Sequence, residues 1–290
     1  DGGGQISVTV ETTVTTVSNG GDGGGGTTSS ETTQVSVRPV CWYEQTNLSG
    51  ADMAARIGPE GAHTMVESGL ESYASHAAED GRWYRATCDP HADPEALKAE
   101  VRKFWMVTRR WRWVPAGQEP PAPVIDARTL VRAAMGAVRI PVPEVETNPR
   151  VTTGDGVSGA TVVGLDTWVW ATGETPARVM ATATAGAVTA TVTAVSDGLN
   201  LSAPDSAPDC HGFGIPWTQG AAEGSSNCTV EFTRSSAHLG GTTPLTVSVG
   251  YDVAWTATDG TSGTLDPITT TSTTDLPVAE IQTINRDSDR

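Results

Sequence analysis

Residues 5–17 read QISVTVETTVTTV. Ile6, Val8, Val10 and Val14 fall on one side of a period-two pattern, with Ser7, Thr9, Glu11 and Thr13 on the other. Successive side chains of an extended chain point to opposite faces, so the pattern predicts a strand with one face on a core and one in water. A lone strand cannot bury its apolar face, so the question is which sheet it joins. The next stretch, SNGGDGGGGTTSSETT at 18–33, reads as a flexible tether by composition. Sixteen such residues span roughly 22 Å as a coil and about 55 Å when extended. The strand can therefore reach its own body or a neighbouring subunit.

Beyond about residue 145 the alternation returns. ATVVGLDTWVWA, ARVMATATAG, AVTATVTAV, NCTVEFTRS, LTVSVGYDVAWTAT and LPVAEIQTI are candidate strands, separated by Gly-, Asp- and Pro-rich turns. Strands at such intervals predict an immunoglobulin-like β-sandwich. Trp168 and Trp170 share a face there, and Trp255 is expected to pack against them.

The middle of the chain reads differently. QVSVRPVCWY (34–43) is a strand by pattern, GADMAARI a short helix and RWYRATC a short strand. HTMVESGLESYASHA sets Val66, Leu70, Tyr73 and Ala77 along one helical stripe. DPEALKAEVRKFWMV begins with Asp93 as N-cap and Pro94 at the first helical position, with Leu97, Val101, Phe104 and Trp105 on its buried side. After a Pro-rich connector, Asp126 caps a helix in DARTLVRAAMGAV. The predicted class is α+β in two domains. A terminal strand at 1–18 and a Gly-rich linker at 19–34 precede a small disulfide-linked helix/strand domain at 35–144 and the β-sandwich at 145–290.

The Gly-rich N-terminal β segment, the CW-containing helical region and the β region with DTWVW and PVAEIQ together resemble a group of secreted actinobacterial, Streptomyces-like proteins of unassigned function. The likeness covers most of the chain. It implies export and carries over no catalytic residue.

The residues themselves also suggest export. Cys41, Cys88, Cys210 and Cys228 form no CxxC pair, which argues against a compact zinc site. An even count predicts the bridges Cys41–Cys88 and Cys210–Cys228, worth about 4 and 3 kcal/mol in the chain-entropy picture. A chain opening at Asp1 without a charged-then-apolar leader is what a processed exported protein shows, and equally what a trimmed chain shows. No apolar run is long enough for a transmembrane helix.

TRRWRWVP (108–115) is the one stretch that suggests nucleic acid. The net charge of −16 opposes it. In a strand, Trp111 and Trp113 face one way and Arg110 and Arg112 the other, so the expectation is aromatics inward and arginines solvated. Residues 145–290 carry 16 acids and five bases, so the arginines could alternatively meet the acidic β region of this or a neighbouring chain.

No HExxH, GxSxG, Walker, EF-hand or dinucleotide fingerprint is present. CDPHADPE (88–95) reads as a loop rather than a metal site, and Asp209–His211 as a solvated pair. No metal, cofactor or catalytic residue is expected. Three functions remain open. The first is an extracellular structural protein, a fibre or oligomer subunit, that self-associates by adding its N-terminal strand, through Ile6, Val8, Val10 and Val14, to a neighbour's sheet edge. The second is a monomeric cell-wall-associated adhesive or ligand-binding module, with Phe213 and Trp217 as the contact loop. The third is a secreted hydrolase.

Overall fold

The structure is a computed structural model. It describes residues 5–16, 27–56, 75–91, 94, 97–98, 101, 111–120, 123, 125–154, 156–173, 175–222 and 224–281.

The opening strand forms as the alternation predicts. β1 (Ile6–Thr16) buries Val8 and Val10 completely, with Ile6 and Val14 packed on the same core. It is paired on both edges within its own chain. β2 (Thr28–Val37) lies antiparallel on one side, with Val8 opposite Val35, and β9 (Pro176–Ala185) on the other, with Val10 opposite Ala183. One expectation is corrected: residues 28–33, read as tether, are strand, because the β1 edge offers them a ladder. The terminal strand, read as able to reach its own body or a neighbouring subunit, is here an internal strand of its own sheet, because the β9 edge and an apolar face stand ready for it.

β9 continues to β10 (Val188–Val195), then to the long β14 (Thr243–Ala257), which also pairs with short β11 (Asn200–Ser202) and with β15 (Ser262–Leu276). Every neighbour in this seven-stranded sheet is antiparallel. Its inner face carries Val179, Ala181, Ala183, Ala190, Val192, Ala194 and the odd-numbered residues of β14 from Leu245 to Trp255.

A four-stranded sheet shares that core. Its order is β12 (Ser206–Cys210), β13 (Cys228–Phe232), β8 (Asp166–Thr172) and β6 (Glu144–Asn148). It contributes Val169, Ala171, Val230 and Phe232. Trp168 and Trp170, on the opposite face of β8, stand outside that core. Trp255 lies within it, so the expected packing of the three tryptophans does not form. Two-residue strands β7 (Thr161–Val162) and β16 (Val278–Ala279) pair in parallel. Among the described residues of LPVAEIQTI, Leu276 ends β15 and Val278–Ala279 form β16.

A short helix, α1 (residues 50–56), carries a capping box that the sequence reading did not identify. The Ser49 hydroxyl accepts from the Asp52 N–H (3.1 Å), and the Asp52 carboxylate accepts from the Ser49 hydroxyl (2.6 Å) and N–H (2.9 Å). These bonds hold the Asp52 carboxyl below its usual range. α2 (Ala127–Ala137) is capped by Asp126, which accepts from the Thr129 N–H at 3.0 Å and hydroxyl at 2.6 Å. This helix, grouped by pattern with residues 35–144, instead seats Leu130, Val131 and Ala134 on the large sheet over β1, β2, β9 and β10. The alanines of β9 and β10 leave room for its close approach.

The third sheet is β3 (Cys41–Gln45), β4 (Gly81–Cys88) and β5 (Trp111–Pro115). QVSVRPVCWY therefore divides into two strands around Arg38–Val40, since Pro39 has no N–H for a ladder. One face, with Cys41, Tyr43, Ala86 and Cys88, packs against Leu97 and Val101. The other, with Trp83, Trp111 and Trp113, packs against Leu48 and Met53. Pro94, Leu97, Lys98 and Val101 are helical as expected, whereas Asp93, Phe104, Trp105, Val66, Leu70 and Tyr73 lie outside the described residues. Ala77, the last position of that stripe, is exposed in a turn.

Candidate functional site

The four cysteines form the two predicted bridges, and each bridge crosses directly paired strands. Cys41 is opposite Cys88 on β3 and β4, and Cys210 opposite Cys228 on β12 and β13. The second bridge closes the base of the loop 211–227. That loop is tied back to β8, where the Ala171 N–H donates to Phe213 O (2.8 Å). Gly214 makes the approach possible: its φ is +76°, and a Cβ there would lie 2.1 Å from Val169 O. Phe213 is half-buried and packs against the main core. Its proposed partner Trp217 is 40% exposed.

The tryptophan-and-arginine stretch resolves by face. Trp111 and Trp113 are half-buried and Arg112 is exposed, as the period of two requires; Arg109 and Arg110 lie outside the described residues. Trp113 stacks on His76 with ring centroids 5.0 Å apart and meets Trp83 at 5.4 Å. Arg85, on the neighbouring strand, lies 3.8 Å from Glu44.

The histidines sit in separate places. His211 and Asp209 are 3.2 Å apart and both highly exposed, the solvated pair that the sequence suggested. Asp89 accepts from the His91 N–H at 2.9 Å and lies 3.8 Å from Arg38, which is a loop arrangement. His238 is different. Its Nε2 lies 2.9 Å from Asp205 and its Nδ1 2.9 Å from Ser235 O. Sequence spacing could not show this pair, because the strands on either side of the loop bring Asp205 and His238 together across 33 positions. The neighbouring Ser236 hydroxyl is engaged structurally: it donates to Gly241 O (2.7 Å) and accepts from the Val278 N–H (3.0 Å). These bonds clip β16 in place. A cleft of about 430 Å³ opens beside it, lined by Thr153, Val157, Ser235, Ser236 and Glu280 among others. Among the described residues no three His, Cys, Asp or Glu side chains gather as a metal site, and no helix is long and apolar enough to cross a membrane.

The outer face of the large sheet is rich in threonine and serine hydroxyls. Across one row stand Thr32, Glu11, Thr182, Thr191, Thr256 and Ser262. Neighbouring hydroxyls bond one another: Thr13 to Ser30 at 3.0 Å, Thr182 to Thr191 and Thr184 to Thr189 at 3.1 Å. This face ends in two edge strands, β2 and β15. Among the described residues neither has a backbone partner on its outer side.

Comparison with protein-family models, with curated proteins and with solved structures found no match.

Proposed function

We propose that the chain is an extracellular structural module that acts by protein–protein contact rather than by catalysis. It is built as a small disulfide-linked α+β domain joined to an immunoglobulin-like β-sandwich. The two cross-strand disulfides carry the extracellular reading, since such bridges persist in oxidising compartments. The hydroxylated sheet with two open edges supports contact with other chains, because unpaired edge N–H and C=O groups are templates for pairing. Donation of β1 to a neighbour would require its exchange out of its own sheet, between β2 and β9.

Fractionation of the producing cells tests this. The expected result is protein in the medium or wall fraction that reacts with no thiol reagent until it is reduced. Cytoplasmic protein carrying four free thiols would sink the reading.

One observation favours a second reading, a monomeric adhesive module at the cell wall. Trp217 is held exposed on a loop fixed by the Cys210–Cys228 bridge and the Gly214 contact. Exposed aromatics on a rigid support are common anchors in binding. Under this reading Trp217→Ala abolishes co-sedimentation with isolated wall material; unchanged sedimentation removes it.

A further inference from the structure

We infer that the two free edges of the large sheet pair with each other between copies, β2 of one molecule against β15 of the next. This rests on the structural, contact-making reading above and names its surface and its partner, a second copy of this chain.

Strand direction is the first argument. Across the sheet the order is β2, β1, β9, β10, β14, β15, each antiparallel to the next. With six strands in that path, β2 and β15 run in opposite directions. A second copy displaced along the sheet, without being turned over, therefore brings its β2 antiparallel to β15 of the first. The inner faces of both copies then lie on the same side, and the ladder continues its own pattern.

Length and composition agree. β15 has a bulge between Tyr251 and Val253 of its partner strand, at Asp266 and Pro267, and is regular from Ile268 to Leu276. That is nine residues against the ten of β2. Natural edges are commonly guarded by Lys, Pro or inward charges. Neither of these segments has a Lys, Arg or Pro, and each has one acid, Glu31 or Asp275. In a chain of net charge −16, two such long and weakly charged edges are the places where copies repel least.

Side-chain chemistry agrees as well. Thr28, Ser30, Thr32 and Ser36 share the outer face of β2, and Thr269, Thr271 and Thr273 that of β15. Their meeting would extend the cross-strand hydroxyl pairs already made within the sheet. Because the two edges differ, the contact is head-to-tail and leaves an open edge at each end. It therefore propagates as a filament instead of closing as a dimer.

The test uses the full chain with Thr32→Cys and Thr271→Cys, both on exposed positions. Among the described residues no cysteine is free, so only the added thiols react with a bismaleimide. The doubly substituted chain is expected to give a ladder of multimers. Each single variant is expected to give no covalent multimer alone, although it still assembles, and to give covalent dimers when mixed with the other. The inference is overturned if the double variant remains monomeric, or if either single variant cross-links to itself. Unchanged thermal melting verifies folding, and sedimentation velocity of the unsubstituted chain gives an independent reading. A single monomeric species at every concentration and ionic strength would also overturn it. A monomer recovered outside the cell with both disulfides intact would remove the edge pairing and leave the extracellular reading standing. Free thiols in a cytoplasmic pool would remove the extracellular reading whatever the cross-linking shows.

Discussion

At the scale of single residues, Tyr251 links the core to solution conditions. It is almost fully buried, and its hydroxyl donates to Pro176 O at 2.8 Å. Burial pushes its phenol up to about 12, with the nearby Thr270 side chain opposing the shift. An unfolded tyrosine ionises near 10. Between those values the unfolded chain releases a proton that the folded chain keeps, so this contribution is intact below pH 10 and is lost as the pH rises through about 12. Tyr251→Phe should flatten that alkaline loss. At neutral pH it should cost about 1–3 kcal/mol, because the Pro176 carbonyl is left buried without its donor. Urea midpoints at pH 8 and pH 11 measure both effects. A variant whose midpoint falls as steeply as the parent's between the two would contradict the assignment. Gly214 gives a second, independent reading. Its left-handed backbone and its contact with Val169 O allow no side chain, so Gly214→Ala should lift the loop 211–227 off β8. Faster proteolysis within that loop, with the rest of the chain intact, is the expected sign.

Among the elements, α2 is the one whose place the sequence concealed. Its helical period and the Asp126 cap are readable from DARTLVRAAMGAV, and Asp126→Ala should cost about 0.5–2 kcal/mol in chemical unfolding. Leu130 is fully buried between this helix and the large sheet, and Leu130→Ala should cost about 2–5 kcal/mol. A loss under 1 kcal/mol would mean that the helix is only loosely seated. Nothing in the local pattern says which sheet the helix covers, because that depends on the alanine-lined face of β9 and β10, fifty and more residues away. β15 was missed for a related reason. SGTLDPITTTSTTDL alternates too weakly to signal a strand, since an edge strand need not bury either face fully. β2 was likewise concealed by polar composition. By contrast β1, β9, β10 and β14, which bury one face each, are legible from alternation alone. The disulfides were legible too, because in-domain pairing of four cysteines left one natural arrangement. The His238–Asp205 pair and the open sheet edges needed the folded chain.

For the whole molecule, the decisive question is what the N-terminal strand holds together. Residues 5–17 alternate so cleanly that they could serve as a detachable strand for a neighbour, and a Gly-rich stretch follows them. In the folded chain, however, β1 is the only strand paired with β2 among the described residues and joins it to β9. α2 rests partly on both β1 and β2. Removing residues 1–16 would strip Val8 and Val10 from the core, at about 1.5–3 kcal/mol each by area. It would also leave β2 without a ladder and α2 without part of its seat. Domain stabilities of about 5–15 kcal/mol do not absorb such a loss easily. The chain beginning at residue 17 should therefore melt about 10 °C or more below the parent, or fail to fold around its large sheet. The Cys41–Cys88 sheet, with cores of its own, should persist. Thermal melting of the truncated chain by far-UV circular dichroism, with tryptophan fluorescence to follow the smaller sheet, measures both. A strand kept for donation predicts the opposite: a truncated monomer as stable as the parent, with assembly alone abolished. That outcome would return β1 to the role its sequence first suggests and remove it from the structural centre of the sheet.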